Sequence, residues 1–472
     1  MKKNQYIFSS EKLQNVPEEF LFERFGNYFL YRDSNLKAFS SIERKTEILL
    51  LGFIINPFKP TLTNHEIVKN LAKNESKENL FKELENYSGR YVVFYKDGKE
   101  LIAMHDMFGQ RQINYLVSNE KFTISSSVKL LIEVTNKKME LIPEHTKLMI
   151  DKGFQKFDQW FLGDMTWDRN VKKLLPNHYI DLKRLSVERL PFFPVDKMNE
   201  KEVIEYTTEV VHGNYRSLIY RYDKIFQALT AGYDSRTLLA LSKDYWNKIQ
   251  FYTFSRGDTN SLRDARIAKM LSNQFTFDYK IIKKPSKDSK FEEWYKNQFI
   301  ISRTTPKFYN IQYFERFGRF NTINLTGDGV QMVRNLRSPQ QLESAEILFD
   351  SLGYTHHHFH IENFRKWLES AKKYISESEI LISDLFTQEI AQGQLTARWS
   401  HEFDLSDCEE FNPFNQKKMI YSIIKNIPYN QRIASDYFFQ KKLMENSIKG
   451  ITQTSFNPPT WKDRLKKLIG KY

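Results

Sequence analysis

Cysteine is all but missing from this chain. Cys408 is the only one among 472 residues, which rules out an internal disulfide and any cysteine-built zinc cluster. Such usage fits a reducing cytoplasm. Long apolar runs are missing too. The best of them, Ile48-Leu49-Leu50-Leu51-Gly52-Phe53-Ile54-Ile55, falls far short of the roughly 20 residues a membrane-spanning helix needs. The start, Met1-Lys2-Lys3-Asn4-Gln5-Tyr6, is basic but has no apolar stretch behind it, so no signal peptide is expected. There is no Walker GxxxxGK[ST] loop, no dinucleotide GxGxxG, no HExxH pair, no internal repeat and no low-complexity tract.

What the chain does have is enough length for two or three domains with full cores. It also has 38 phenylalanines and 25 tyrosines to fill them. The net charge of +13 raises the local concentration of anions. The lysines are scattered, with short clusters only at Lys283 to Lys290 and Lys462 to Lys471. No RNA-recognition, KH or zinc-finger signature accompanies them. The charge therefore reads as a solvated basic surface, and neither a nucleic-acid partner nor a membrane span is expected.

Two textures divide the chain near the Leu190-Pro191-Phe192-Phe193-Pro194-Val195 segment. Before it come short alternating strands such as Tyr91-Val92-Val93-Phe94-Tyr95 and Leu101-Ile102-Ala103-Met104, with Lys96-Asp97-Gly98-Lys99 as a hairpin turn. After it, a helix over 200–220, a strand at 249–254, a helix over 262–272 and a strand over 276–282 give βαβαβ alternation. The expected domains are 1–195 and 196–472.

The most informative segment is Phe226-Gln227-Ala228-Leu229-Thr230-Ala231-Gly232-Tyr233-Asp234-Ser235-Arg236. It predicts an apolar strand, a turn of small residues, and a helix beginning near Ser235. Ala231 and Gly232 let an anion approach the backbone, and the helix N-terminus offers free N–H groups. Ser235 adds a hydroxyl, and Asp234 is placed to hold a magnesium ion. The turn resembles the SGGxDS pyrophosphate loop (PP-loop) of ATP pyrophosphatases, here Thr230-Ala231-Gly232-Tyr233-Asp234-Ser235.

Further matches in the same order extend the resemblance to the asparagine synthetase family over nearly the whole chain. Gly89-Arg90-Tyr91-Val92-Val93-Phe94-Tyr95, Asp106-Met107-Phe108-Gly109-Gln110-Arg111 and Ser125-Ser126-Ser127-Val128-Lys129 are similar to its glutaminase half, which Leu175-Pro176-Asn177-His178 closes. Asp264-Ala265-Arg266-Ile267-Ala268, Leu325-Thr326-Gly327-Asp328-Gly329-Val330-Gln331 and Asn412-Pro413-Phe414-Asn415 are similar to its synthetase half. The resemblance implies an α/β plus α+β protein. An Ntn-hydrolase-like αββα sandwich would precede a parallel-sheet PP-loop domain. It implies an ATP-dependent, AMP-forming carboxylate–amine ligase with ATP and Mg2+ as cofactors. Leu229, Thr230, Ala231, Gly232, Asp234 and Ser235 would bind pyrophosphate, with Asp234 the metal ligand. Phe254 would line the adenine site, Gly327, Asp328 and Gly329 the substrate side, and Lys449 would serve with Asp234 as a catalytic residue.

Three departures shape the reading. Residue 2 is Lys2 rather than the family's nucleophilic cysteine, so the first domain is expected to be a scaffold without glutaminase activity. A separate ammonia-supplying glutaminase then becomes a candidate partner. Gln331-Met332 replaces the acidic pair that ends the family's SGDGADE, leaving a weaker site for a hard cation. Arg334, three residues on, is a candidate phosphate contact instead. Tyr233-Asp234-Ser235-Arg236 replaces LDSS, resembling members outside asparagine synthesis; it implies a small-molecule, peptide or saccharide carboxylate and another amine. His356-His357-His358-Phe359-His360 reads as structural or substrate-facing, the Glu-rich stretch 374–389 as a solvated helix face, and 461–469 as a basic amphipathic helix docked on its own domain. Two other functions compete with the ligase: a non-catalytic homologue acting as a binding or assembly subunit, and a tRNA-modifying ATP pyrophosphatase.

Overall fold

The long apolar run at 48–55 is a strand buried on both faces. Ile48, Leu50 and Ile54 point to one side and Leu49 and Leu51 to the other; a strand covered on both sides has no polar face to alternate with. Its neighbour Ser88–Lys96 behaves the same way: Val92 and Phe94 face one core, Tyr91, Val93 and Tyr95 the other. These two strands pair antiparallel along their length. The computed structural model describes residues 2–301, 307–317, 321–433, 436–460 and 463.

Two six-stranded sheets fill the first half. One runs Lys172–Lys173, Asn114–Ser118, Lys121–Ser125, Tyr6–Ser9, Tyr28–Arg32 and Leu21–Phe25 across its width. The other runs Ser186–Arg189, His178–Asp181, Leu101–His105, Ser88–Lys96, Thr46–Ile55 and Ala38–Glu43. Phe8, Ile124, Leu51 and Phe94 belong to the apolar layer between them. Helices Asn64–Leu71 and Lys77–Leu84 cover the outer face of the second sheet through Ile67, Leu71, Leu80 and Phe81. Helix Val128–Val134 covers the first through Leu130 and Val134. The layers are thus helix, sheet, sheet, helix. Thr63 and Ser127 cap two of these helices with their side chains.

Residues 190–199 carry no helix or strand. Beyond them lie α1 (Glu200–Arg221), β1 (Lys224–Ala228), α2 (Tyr233–Leu241), β2 (Ile249–Ser255), α3 (Thr259–Phe275) and β3 (Tyr279–Lys283). Two more strands, β4 (Thr322–Leu325) and β5 (Glu409–Phe411), complete a sheet of order β3-β2-β1-β4-β5. Every pairing in it is parallel. The chain is therefore mixed α/β, with one parallel and two antiparallel sheets. The helix expected at 262–272 is longer because Asp258 caps it and Thr276, at φ +57°, ends it. The following strand accordingly starts three residues late.

One large core spans both halves, joining Phe53, Met107 and Phe108 to residues of α1, α2 and the parallel sheet. The Glu-rich stretch 374–389 is not a solvated face throughout. A helix ends at Ser378, and a π-helix over Thr387–Thr396 follows a short buried helix at Ile382–Phe386. Glu389 is fully buried there, paired to Arg189 at 3.0 Å and accepting from Trp367 Nε1 at 2.7 Å. Of the helix expected at 461–469, all but Asp463 lies outside the described residues. No helix among the described residues is long and apolar enough to cross a membrane.

Candidate functional site

In the parallel sheet the strand order reverses between β1 and β4. The C-terminal ends of strands flanking such a switch point are the usual ligand position in open α/β sheets. The loop after β1 is Leu229 to Gly232 and the loop after β4 is Thr326 to Gly327, so both segments singled out in the sequence lie at that switch point.

The first loop is closed on itself. Ser235 Oγ accepts the Thr230 N–H at 3.0 Å and lies 2.9 Å from Thr230 Oγ1. Thr230 Oγ1 in turn accepts the Gly232 N–H at 3.2 Å. Leu229 is buried and still pairs with β2, donating its N–H to the Tyr252 carbonyl at 2.8 Å. The Ala231 N–H donates to Asp264 Oδ1 of α3 at 3.4 Å. Gly232 is the N-cap of α2 at φ −80°, with no side chain capping the helix. Glycine is thus not required there by its backbone angle. With no side chain at the N-cap, the first N–H groups of α2 and its positive dipole are left without a side-chain cap, and the Asn457 side chain approaches to 3.8 Å of where a Cβ would stand.

The second loop touches the first. A Cβ on Gly327 would stand 3.0 Å from Asp234 C and from Ser235 N, so only glycine fits without moving α2. Asp328 follows at the head of a 3-10 helix, its carbonyl accepting from Gln392 Nε2 of the π-helix at 3.2 Å. Its carboxylate lies 3.7 Å from Lys307 Nζ, which also bonds the buried Glu410. Burial raises the Glu410 carboxyl above its usual range, against the pull of Lys307. Gly329 packs on Phe108 and Asn412.

Asp234 does not stand free. Its Oδ2 accepts from Arg334 Nη2 at 2.6 Å and its Oδ1 from Gln440 Nε2 at 3.3 Å. Burial raises the Asp234 carboxyl, and Arg334 opposes that. Phe254 is at the C-terminal end of β2, packed with Phe226 and Tyr252 on the face of the sheet away from α2. Lys449 is exposed, in the turn after helix α4 (Phe438–Ser447), and its charge acts on Glu445.

Tyr233 and Arg236 have a role the sequence does not reveal. The strap over 451–457 lies across the loop. Phe456 stacks on Tyr233 with ring centroids 3.8 Å apart and 4° between planes, and the Arg236 guanidinium sits 3.8 Å over the same ring. Arg236 also donates to the carbonyls of Thr454 (2.5 Å) and Ser455 (3.1 Å), and the Asn457 N–H donates to the Ala231 carbonyl at 3.0 Å. Gln440 and Phe456 lie some two hundred residues from the loop they touch, and no spacing in the sequence announces such contacts.

The histidine cluster divides. His356 pairs with Asp350 at 2.9 Å and His357 with Asp151 at 3.2 Å. His360 is wholly buried and accepts the Leu162 N–H at 2.9 Å. Among the described residues no three His, Cys, Asp or Glu side chains are grouped to hold a metal ion.

The first-half motifs meet the second half. Asp106 accepts the N–H groups of Phe108, Gln110 and Arg111, and Asn415 Nδ2 donates to it at 2.8 Å. Arg90 and Arg111, both buried, share Asp404 and Glu409 (2.5–3.2 Å).

No protein-family model and no curated protein matches this chain. Among solved structures, the NH3-dependent NAD synthetase of Campylobacter jejuni is 13% identical, covers 38% of this chain and 78% of its own, and has a TM-score of 0.20. The NMN synthetase of Francisella tularensis is 12% identical over 43% of this chain and 94% of its own, at a TM-score of 0.22. The glutamine phosphoribosylpyrophosphate amidotransferase of B. subtilis is 8% identical over 91% of this chain and 88% of its own, at 0.26. Likenesses this distant decide neither fold nor chemistry.

Proposed function

We propose that this protein is an ATP-dependent, AMP-forming ligase of the asparagine synthetase type that joins a carboxylate to an amine or to ammonia. One observation carries the reading: the loops after β1 and β4 meet at the switch point, with Gly327 against the first turn of α2. A triphosphate on the uncapped N-terminus of α2 would lie beside the Gly327–Gly329 turn, where the second substrate binds. The carboxylate oxygen attacks the α-phosphorus, and the bond to the departing pyrophosphate breaks. The amine nitrogen then attacks the acyl carbon, AMP leaves, and the amine loses a proton. Helix dipole and backbone N–H groups favour charge that develops on the leaving pyrophosphate.

Phe254 is assigned to the adenine side, and Lys449, exposed in the turn that precedes the strap, is assigned no step. Magnesium would arrive with the nucleotide; the chain's own donor set, Asp234 already paired and Gln331 in place of an acid, does not fit a protein-held ion. The sandwich acts as a scaffold, since its Gly89-Arg90 and Asp106–Arg111 motifs are spent on the interface. Ammonia, if used, comes from elsewhere. The substrates proposed are a small-molecule, peptide or saccharide carboxylate and an amine.

The Arg334–Asp234 pair also favours a second reading, a non-catalytic subunit that has lost its metal ligand. Product analysis separates the two. Purified protein is incubated with Mg-ATP and a small-molecule extract of its host, beside Asp234→Asn. AMP and pyrophosphate, absent in the variant, support the ligase. ADP and phosphate overturn it, and a folded protein without turnover favours the subunit.

A further inference from the structure

A triphosphate carries about four negative charges into its site, and something must balance them. A metal held by the chain is the usual means, and here the carboxylates that would hold it are engaged. Asp234 is bonded through both oxygens, to Arg334 and Gln440. Asp328 faces Lys307. Gln331, three residues after Asp328, is neutral. A hard cation would have to displace a guanidinium to reach one carboxylate.

The guanidinium is itself built into place. Arg334 follows the 3-10 helix that begins at Asp328, so it belongs to the same loop as Gly327. It is mostly buried, with 17% of its side chain exposed. Its face lies 5.1 Å from the centre of the Tyr437 ring. Tyr437 in turn contacts Tyr233 of the phosphate loop edge-on at 4.7 Å. The Tyr437 backbone is left-handed, at φ +51°, which is uncommon for a bulky residue and marks a position held by its surroundings. Arg334 Nε is buried and has no hydrogen-bond partner. A buried donor left unmade costs free energy, and an anion entering beside it would supply the acceptor.

We propose that Arg334 is the polyphosphate-binding cation of this site, parked on Asp234 when no nucleotide is bound and passing to phosphate oxygens when one is. The inference rests on the ATP-binding reading above and goes further: the chain replaces a metal-holding carboxylate pair by a guanidinium. The planar fork of arginine suits phosphate oxygens better than a lysine would.

Equilibrium binding of ATP, measured by calorimetry with Mg2+ and again in EDTA, tests it. The wild-type chain is expected to keep ATP affinity in EDTA within about tenfold of that in Mg2+. Arg334→Gln is expected to lose roughly ten- to a hundredfold in EDTA, the size of a charge-assisted hydrogen-bond pair, and Arg334→Lys to fall between. If Arg334→Gln fails to fold, the double variant Arg334→Gln with Asp234→Asn removes both charges together and is expected to show the same loss. Wild-type binding that requires Mg2+, with Arg334→Gln binding as well or better, would overturn the role of Arg334 and leave the ATP reading intact. No ATP binding in either buffer would overturn both.

Discussion

Arg90 Nη1 lies 2.7 Å from Asp404 Oδ1, and the two residues come from opposite halves of the chain. Arg111 and Glu409 complete a set of two positive and two negative groups, buried except for the Glu409 side chain, which is 21% exposed. Burial pushes the Asp404 carboxyl up, but Arg90 and Arg111 outweigh it and hold it at about 2. Removing one member leaves an uncompensated charge in a largely buried interface. Arg90→Met is expected to cost about 3–5 kcal/mol, read as a lowered midpoint of urea unfolding. A loss well under 1 kcal/mol would mean that water reaches the cluster.

Strands and helices that carry strong local signals are legible in the sequence. The hairpin around Gly98 and the βαβαβ run show in residue periodicity, because one or two faces of each element are buried. Glu389 is not legible in this way, since a buried acid and a solvated one look alike in sequence until the partner, Arg189, two hundred residues away, is in place. Tyr233 and Arg236 stood out as unusual letters in the loop. Their meaning lies in Phe456, and a stacking partner that distant leaves no pattern in the chain. Arg90 and Arg111 sat in recognisable motifs, but their carboxylate partners come from 404 and 409, so the interface was not legible from either motif alone.

Gly327 permits a contact that no other residue allows. Gly327→Ala places a Cβ 3.0 Å from the backbone of Asp234 and Ser235, and backbone yields far less readily than a side-chain tip. Stability is expected to fall by about 1–3 kcal/mol. ATP affinity should fall with it, because the first turn of α2 is what moves. Gly329→Ala is the comparison: its close neighbours are the Phe108 ring and the Asn412 side chain, so stability should fall while affinity changes little. Calorimetric binding beside thermal unfolding checks both.

Phe456 holds the strap on the phosphate loop between Tyr233 and Arg236. An aromatic pair contributes about 0.5–1.5 kcal/mol and a cation–π contact a similar amount. Phe456→Ala should therefore free the strap without unfolding the protein. The Asn457 amide, bonded to the Ala231 carbonyl, reports on this. Its hydrogen exchange is expected to rise by about tenfold, while amides within β1 and β4 stay as protected as before. Unchanged exchange at Asn457 would show that Arg236 alone secures the strap.

His360 makes stability depend on pH in a window that can be named. Its ring lies among Phe154, Phe161, Phe349 and Tyr354. Burial lowers its pKa to about 3, helped by the nearby His357 and opposed by Asp151. Its Nε2 accepts the Leu162 N–H, so the neutral ring carries its proton on Nδ1, which has no partner. In the unfolded chain the same ring titrates near 6.5. Between those values the unfolded state binds one more proton than the folded state, so stability is full above about pH 6.5 and falls as pH drops toward 3. Each unit costs about 1.4 kcal/mol. His360→Gln keeps an acceptor for Leu162 but removes the titration. Across pH 7 to 5 its stability is expected to decline less steeply than wild type, by about one proton in the slope. Parallel slopes would mean that the folded protein protonates His360 with little penalty, and that water enters this aromatic cluster.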